Sequence, residues 1–564
     1  MGLILIYFNE AYIKMAREIS ALQKARSAYQ PKLPKALHSK NLRVEFGTPT
    51  QPAHDQVQIK ALFPKTYGQP GAKIVEGESN LKKEAVKIGV VLSGGQAPGG
   101  HNVIAGLYDS LKASNADSKL FGFLKGPGGI LKNKYVELTS EKIDEYRNTG
   151  GFDMIMSGRD KIEKPEELEA CLKNFASLDL DGVVIIGGDD SNTNAALLAE
   201  YLKQKGSKTC IIGVPKTIDG DMKNEHIEAS FGFDTASKTY SELIGNICRD
   251  ATSAVKYWHF IRLMGRAASH VTLECALQTH PNITLISEEI QEKGTKLDEI
   301  VDYIVDVITK RAAAGKNYGI LLVPEGLPEF ISDIKIMIDE LSSILGTSEE
   351  YINSLKERDD RIQFLSSELT DHSARVYASL PRDIQEVLLT RDSHGNVPLS
   401  QVETERLLID LVKDKLRILK ATNGIETKFS SLSHFFGYEG RCAAPSNFDA
   451  DYCYSLGCTA ALCVRAGMTG YTVNVQHVTE HSDNWVAGAT PVTMMLNMET
   501  RKGKHVPVIK KALVDTNSAP FKKFAENRED WAINDCYTFP GPIQYFGPSE
   551  VCDAPTITLQ LEKA

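Results

Sequence analysis

The segment PKTIDGD, residues 215–221, sets an ammonium group and two carboxylates on one short stretch: Lys216, Asp219 and Asp221, with Thr217 and Ile218 between them. Asp219 and Asp221 alternate, so an extended loop turns both to one face. A carboxylate beside a lysine suits general-base work or the handling of metal and phosphate. A solvated turn around Gly220 has the same composition. Two more acids, Asp189 and Asp190, follow the glycine pair of GGDDSN, residues 187–192. One aspartate after a strand is a common Mg2+ ligand beside phosphates. Capping a helix is its plainer use, but two adjacent acids exceed what a cap needs, and Ser191 and Asn192 also cap.

SGGQAPGGHN, residues 93–102, supplies Gly94, Gly95, Gly99 and Gly100. Glycines let backbone N–H groups approach a phosphate, and a following helix favours the anion. An ordinary tight turn reads alike, and neither a P-loop nor a dinucleotide fingerprint matches. Arg266 in MGRAASH, residues 264–270, would neutralise a transferring phosphoryl group from a strand end. Tyr438 and Arg441 of YEGR, with Lys428 upstream, could hold a phosphate; singly, each also reads as a surface or packing residue. The 13 histidines show no metal spacing.

These loops need strands to aim them. KIGVVL (87–92), DGVVIIGG (181–188), TCIIGV (209–214) and NYGILLV (317–323) are short apolar runs, each ending in a polar loop. Such runs read as fully buried strands. Their alternation with helical stretches predicts an α/β sandwich with a largely parallel sheet. Ligands of such sheets sit beyond the C-terminal strand ends, where the loops above fall. Residues 331–420 are rich in Glu, Lys, Asp and Leu at helical spacing and read as a helical insertion.

The chain has 564 residues, about three to four domain lengths. A net charge of −9 without a long basic run argues against nucleic acid as partner. The ten cysteines form no C-x2-C pair and read as reduced core thiols. The apolar run Gly2–Phe8 is too short to span a bilayer and lacks the basic flank of a secretory signal. No membrane partner is expected, and the expected location is cytoplasmic.

SGGxAPGG, GGDDSN, PKTIDGD, MGR, PEG and YEGR occur in that order between about residues 87 and 450. Together they resemble the phosphofructokinase family, specifically its long pyrophosphate-dependent branch. The resemblance implies two Rossmann-like three-layer sandwich domains with the helical insertion and terminal extensions at 1–80 and 501–564. Residues 81–229 with about 441–500 would take the donor, and 230–440 the acceptor. ATP-dependent relatives carry Gly where this chain has Asp190, and generally Gly where it has Lys216. A carboxylate about 4 Å from a nucleotide α-phosphate costs on the order of 4 kcal/mol at an effective dielectric of about 20. Asp190 would thus oppose ATP, while Lys216 draws pyrophosphate.

The implied reaction is reversible, Mg2+-dependent transfer from pyrophosphate to the C1 hydroxyl of fructose 6-phosphate, a step of glycolysis. Gly95 resembles the donor-loop glycine, Asp189 the metal site, Asp219 the base, and Asp221 an accessory carboxylate. Thr217, Ile218 and Asp219 resemble the sugar-binding TID. Met264, Gly265 and Arg266 would line sugar and phosphoryl group, and Glu325 would accept sugar hydroxyls. Tyr438, Glu439, Gly440 and Arg441, helped by Lys428, resemble the 6-phosphate clamp. Where ATP-type enzymes carry an arginine contributed by the neighbouring subunit, this chain has Lys256 and Tyr257, so a homodimer with the site near its interface is expected. An ATP-dependent enzyme and a non-catalytic sugar-phosphate-binding subunit are the rival readings.

Overall fold

The computed structural model describes residues 21–390, 402–501, 504–543 and 553–564. The run Gly2–Phe8 and Cys552 lie outside the described residues. Strand Gly182–Gly187 is buried at every position, and Lys87–Ser93 is buried from Ile88 onward. Strands apolar on both sides need helices on both faces. They lie at the centre of an eleven-stranded sheet. Five of its parallel strands run in the order Lys119–Phe123, Lys87–Ser93, Gly182–Gly187, Cys210–Thr217, Tyr471–Gln476, and two short ones, Ser157–Gly158 and Phe231–Gly232, pair in parallel beside the second and fourth.

Antiparallel strands close both edges. Tyr135–Glu137 pairs beside Lys119–Phe123. On the other side Val486–Pro491 is followed by Pro70–Glu76 and Leu42–Pro49, both from the N-terminal extension. One face carries helices Pro165–Ser177 and Asp189–Gln204, whose Phe175, Leu198 and Leu202 pack on Val183 and Ile185. Helices Gly100–Ser114 and Asn447–Arg465 cover the other face. They cross almost in backbone contact: a Cβ on Gly106 would lie 2.1 Å from the Tyr454 carbonyl oxygen, and one on Gly457 2.0 Å from that of Val103. Only glycine permits that approach.

A second sheet has four parallel strands in the order Ile283–Thr284, Tyr318–Pro324, Tyr257–Leu263, Ser431–Phe436. The helical insertion lies between its strands Tyr318–Pro324 and Ser431–Phe436 and begins with helices from Ser332–Thr347 to Arg382–Val387. Met337, Leu341, Tyr377 and Leu408 share a core with Trp258, Phe260 and Leu321, so these helices enlarge the second domain's interior. Helix Thr404–Asn423 docks on the sheet through a buried ion pair, Arg262 Nε to Glu405 Oε2 at 2.8 Å. Residues 391–401, part of the predicted insertion, lie outside the described residues.

Each sheet reverses its strand order beside the first of its parallel strands, Lys87–Ser93 and Tyr257–Leu263, which opens a crevice at the C-terminal strand ends. In the first sheet the crevice is flanked by the loops after Ser93 and Gly187, joined by a 2.8 Å hydrogen bond from the Ser191 hydroxyl to that of Ser93. In the second sheet it is flanked by the loops after Leu263 and Phe436, where Met264 N donates to Phe436 O at 2.9 Å. Among the nine described cysteines, all free, seven are buried; Cys442 is exposed and Cys536 partly so, which departs from the expectation of core thiols. No described helix is long and apolar enough to cross a membrane.

Candidate active site

The first glycine loop needs its glycines for two different reasons. Gly94 has φ +84°, a left-handed backbone that side chains disfavour. Its N–H donates to Gly158 O at 2.8 Å, which draws the next residue, Arg159, to the loop. At Gly95 the absent side chain leaves room for cations: a Cβ there would lie 3.8 Å from both Arg159 Nη2 and Arg441 Nη1. A Cβ on Gly94 would lie 3.6 Å from Lys216 Nζ. Three cations from three separate segments thus surround two glycines. Arg441 also donates through Nη2 to Gln96 Oε1, and its Nε is buried without an acceptor among the described residues. That arrangement is what an oxyanion ligand requires.

Strand Cys210–Thr217 delivers Lys216 from its buried end, with 8% exposure. Burial, reinforced by the charge of Arg441, pulls its ammonium down to about 8 despite nearby Asp219, Asp189 and Asp221. The turn that follows is locked when Thr217 Oγ1 accepts from Asp219 N at 3.0 Å. Asp219 is pushed up to about 7, first by desolvation and then by the charge of Asp221, with Lys511 and Lys216 opposing. Asp221 is 5% exposed and is raised for the same leading reason. Ile218, buried at 7% exposure, packs inward and anchors the turn.

Asp189 and Asp190 form the first turn of helix Asp189–Gln204, where the helix dipole favours their charge. Their surroundings differ. The Asp189 side chain is 24% exposed, and its Oδ2 lies 3.6 Å from Lys511 Nζ. The Asp190 side chain is 54% exposed, and its Oδ1 lies 3.8 Å from Lys161 Nζ. Lys511 also faces Asp221 Oδ2 at 3.7 Å.

The second domain supplies the opposite wall. Gly265 N donates to Glu325 Oε2 at 3.2 Å, tying MGR to PEG. A Cβ on Gly326 would strike the Arg266 carbonyl oxygen at 2.0 Å, so the two loops touch through backbone. Arg266 is exposed at the rim, where its charge opposes the burial that raises Glu329. The YEGR turn rests on buried Tyr240, whose hydroxyl donates to Gly437 O at 2.6 Å. Gly440 has no room for a side chain above that ring, with 2.4 Å to a hypothetical Cβ. Tyr438 and Glu439 are exposed, and the Arg441 guanidinium lies 5.0 Å from the Tyr438 ring centre.

Lys256, Tyr257 and Lys428 are not brought into this crevice. They stand at or before the N-terminal ends of strands Tyr257–Leu263 and Ser431–Phe436, whose other ends face the site. The six strand residues beyond Tyr257 separate it from the crevice by about 20 Å. Lys256 instead lies over the Tyr257 ring at 4.9 Å. Conversely, sequence reading passed over Arg159, Gln96, Lys161 and Lys511. Arg159 follows a two-residue strand, Ser157–Gly158, too short for a periodicity signal. Lys511 sits in the C-terminal extension, 290 residues beyond Asp221.

The donor set suits a hard divalent cation. Asp189 and Asp221 offer carboxylate oxygens to one shared position, now facing an ammonium. No cluster of three or more ligating side chains occurs among the described residues. Mg2+ commonly takes one or two carboxylates and completes its shell with water and substrate phosphates, so two fit.

Residues 87–464 match the family model described as phosphofructokinase. A pyrophosphate–fructose 6-phosphate 1-phosphotransferase of Porphyromonas gingivalis is 52% identical over 545 residues, 96% of this chain and 99% of that protein. One from Treponema pallidum is 49% identical over 557 residues, 97% of each chain. The crystal structure of a pyrophosphate-dependent phosphofructokinase from Nitrosospira multiformis shares the fold at a TM-score of 0.53 and 15% identity, covering 84% of this chain and 97% of that one. With the ordered loops converging on one crevice and a match of this extent, the chain belongs to the phosphofructokinase family, in the branch of those pyrophosphate–fructose 6-phosphate 1-phosphotransferases.

Proposed function

We propose that this protein transfers a phosphoryl group from pyrophosphate to the C1 hydroxyl of fructose 6-phosphate, reversibly and with Mg2+, in the cytoplasm. The observation that carries the reading is one crevice holding a glycine pair beside Lys216 and Arg159, with Arg441 beside both that pair and the Tyr438 ring, next to a carboxyl, Asp219, poised near neutrality. The first is a site for a phosphoanhydride; the second is a base matched to a hydroxyl proton.

Residues 81–229 with about 441–500 hold the donor, and 230–440 the acceptor. Lys216 and Arg159 take the donor oxygens over Gly94 and Gly95. Glu325 accepts from sugar hydroxyls, Met264 and Gly265 line the sugar, and Tyr438 with Arg441 holds the 6-phosphate. Asp219 removes the C1 hydroxyl proton as the C1 oxygen bonds to the nearer phosphorus. The bridging P–O bond breaks and orthophosphate leaves, while Lys216 and Arg266 neutralise the migrating group. Asp189, with Asp221, would hold the divalent metal, which supplies charge neutralisation to the phosphates. Phosphoryl transfer asks a protein mainly for such positioning.

Asp190, in the first turn of helix Asp189–Gln204, would lie near the place of a nucleotide's α-phosphate. Its charge is shared with Lys161 and partly exposed, so its cost to ATP falls to about 1 kcal/mol, below that of a lone carboxylate. Lys256 and Tyr257, remote from their own crevice, would serve a neighbouring subunit's site in a homodimer.

The test is a donor comparison. The purified protein is given fructose 6-phosphate and Mg2+ with either pyrophosphate or ATP, and fructose 1,6-bisphosphate is quantified. Product from pyrophosphate is the expected result. Product mainly from ATP overturns the donor assignment, and product from neither favours a non-catalytic subunit.

A further inference from the structure

The C-terminal extension crosses the crevice as a strap. It leaves the hairpin Leu496–Arg501 and Lys504–Ile509, which packs beside helix Asp189–Gln204. Four hydrogen bonds then fasten it. Ile509 N donates to Thr193 Oγ1 at 3.3 Å, and Ala512 N donates to Asp221 O at 2.7 Å. His270 Nε2 pairs with Ala512 O at 2.9 Å, and Val514 N donates to Glu288 Oε1 at 3.0 Å. The first two anchors belong to the donor side and the last two to the acceptor side. Lys511 lies between them, so its backbone is held from both domains.

Its ammonium is placed but not locked. The 3.6 and 3.7 Å distances to Asp189 and Asp221 exceed the roughly 2.7–2.9 Å of a charge-assisted hydrogen bond. The side chain is 38% exposed, toward the crevice. Burial works against its charge, but Asp189, Asp221, Asp219 and Asp190 outweigh it. One ammonium thus faces four acidic side chains, which hold it on their side of the crevice until their charge is met by a metal.

We propose that Lys511 is a phosphate-contacting residue of this site, held by Asp189 and Asp221 in the empty enzyme and turned to the donor phosphate when a divalent metal takes those carboxylates. The proposal rests on the function proposed above. It makes Lys511 a competitor of the metal when pyrophosphate is absent and a partner of the metal when it is present. The flexible four-carbon stem allows the exchange while the strap stays fixed.

The experiment compares full-length wild type with Lys511→Met, Lys511→Arg and, as a control for charge on the same strap, Lys510→Met. Lys510 is exposed on the strap's outside. Two quantities are read. The first is Mn2+ binding without substrates, by electron paramagnetic resonance. The second is the KM for pyrophosphate against that for fructose 6-phosphate, with thermal midpoints as a check on folding.

Lys511→Met is expected to bind Mn2+ several-fold more tightly and to raise the pyrophosphate KM about 10- to 100-fold, the range of a charge-assisted hydrogen bond. The fructose 6-phosphate KM should move less than about threefold, Lys511→Arg should recover most of the loss, and Lys510→Met should match wild type. If turnover of Lys511→Met is too slow for a KM, the rise of its thermal midpoint with pyrophosphate replaces it. An unchanged pyrophosphate KM overturns the proposal. So do equal losses for both substrates with a lowered midpoint, which mark a structural pin. If wild type fails to use pyrophosphate, the functional reading fails by itself, and unchanged Mn2+ affinity in Lys511→Met separately removes the competition.

Discussion

Replacing Lys216 by Met separates the cost of this site from its use. The ammonium is 8% exposed, and burial pulls its proton affinity from an ordinary 10.5 down to about 8. That fall corresponds to about 3 kcal/mol that the folded, unliganded protein loses by keeping the group charged. The sign follows from linkage. Below pH 8 the lysine is protonated both folded and unfolded, so the whole penalty is present. Between pH 8 and 10.5 the folded state releases its proton first, and the penalty fades. Lys216→Met should therefore raise the stability of the empty enzyme at pH 7 by up to about 3 kcal/mol, seen as a higher thermal midpoint. The same change should lower kcat/KM for pyrophosphate by about 10- to 150-fold, the worth of one charge-assisted hydrogen bond, and more if several oxygens share the ammonium. The assay is kcat/KM for pyrophosphate from pH 6 to 10 in wild type, Lys216→Met and Lys216→Arg. Wild type should decline above about pH 8, because this ratio reports the free enzyme. Lys216→Arg should lack that decline, and the ratio of wild type to Lys216→Arg cancels titration of the substrate. A ratio that stays constant across the range, or a Lys216→Met enzyme within threefold of wild type, would refute the reasoning.

Asp219→Asn should lower kcat by about 10²–10⁴ with little change in either KM, and a near-normal kcat would remove it from the role of base. Asp190→Gly should improve the use of ATP relative to pyrophosphate by about fivefold, the equivalent of the roughly 1 kcal/mol that this half-exposed charge costs; an unchanged ratio contradicts the account. His259 and His434 stack with ring nitrogens 2.9 Å apart, and burial pulls His259 down to about 4. Its contribution is fully present above the unfolded value of about 6.5 and is lost as pH falls toward 4, up to about 3 kcal/mol. The stability slope between pH 6.5 and 4 should flatten in His259→Phe, measured by denaturant titration.

The strands that aim the site were legible for a simple reason. A strand covered on both faces must be apolar at every position, so runs such as Gly182–Gly187 declare themselves without neighbours. The loops at their ends were equally legible, since a loop of Gly, Asp and Lys directly after such a strand has few structural uses. Lys428 shows the limit of that reading. The resemblance drew it to the 6-phosphate clamp, but it stands before the other end of its strand, and chain proximity to YEGR says nothing of direction along a strand.

The sequence by itself determined the α/β class, the order of the loops at the strand ends and the charged residue types they carry, because local burial and loop chemistry carry that information. Only the tertiary structure decided which charges meet. Arg159, Lys216 and Arg441 come from positions far apart in the chain and share one pair of glycines. Lys511 reaches Asp189 and Asp221 only because a strap hydrogen-bonded to both domains lays it there. Electrostatic partnership depends on distance through space and on the water excluded between groups, and neither quantity is written in the spacing of residues along a chain.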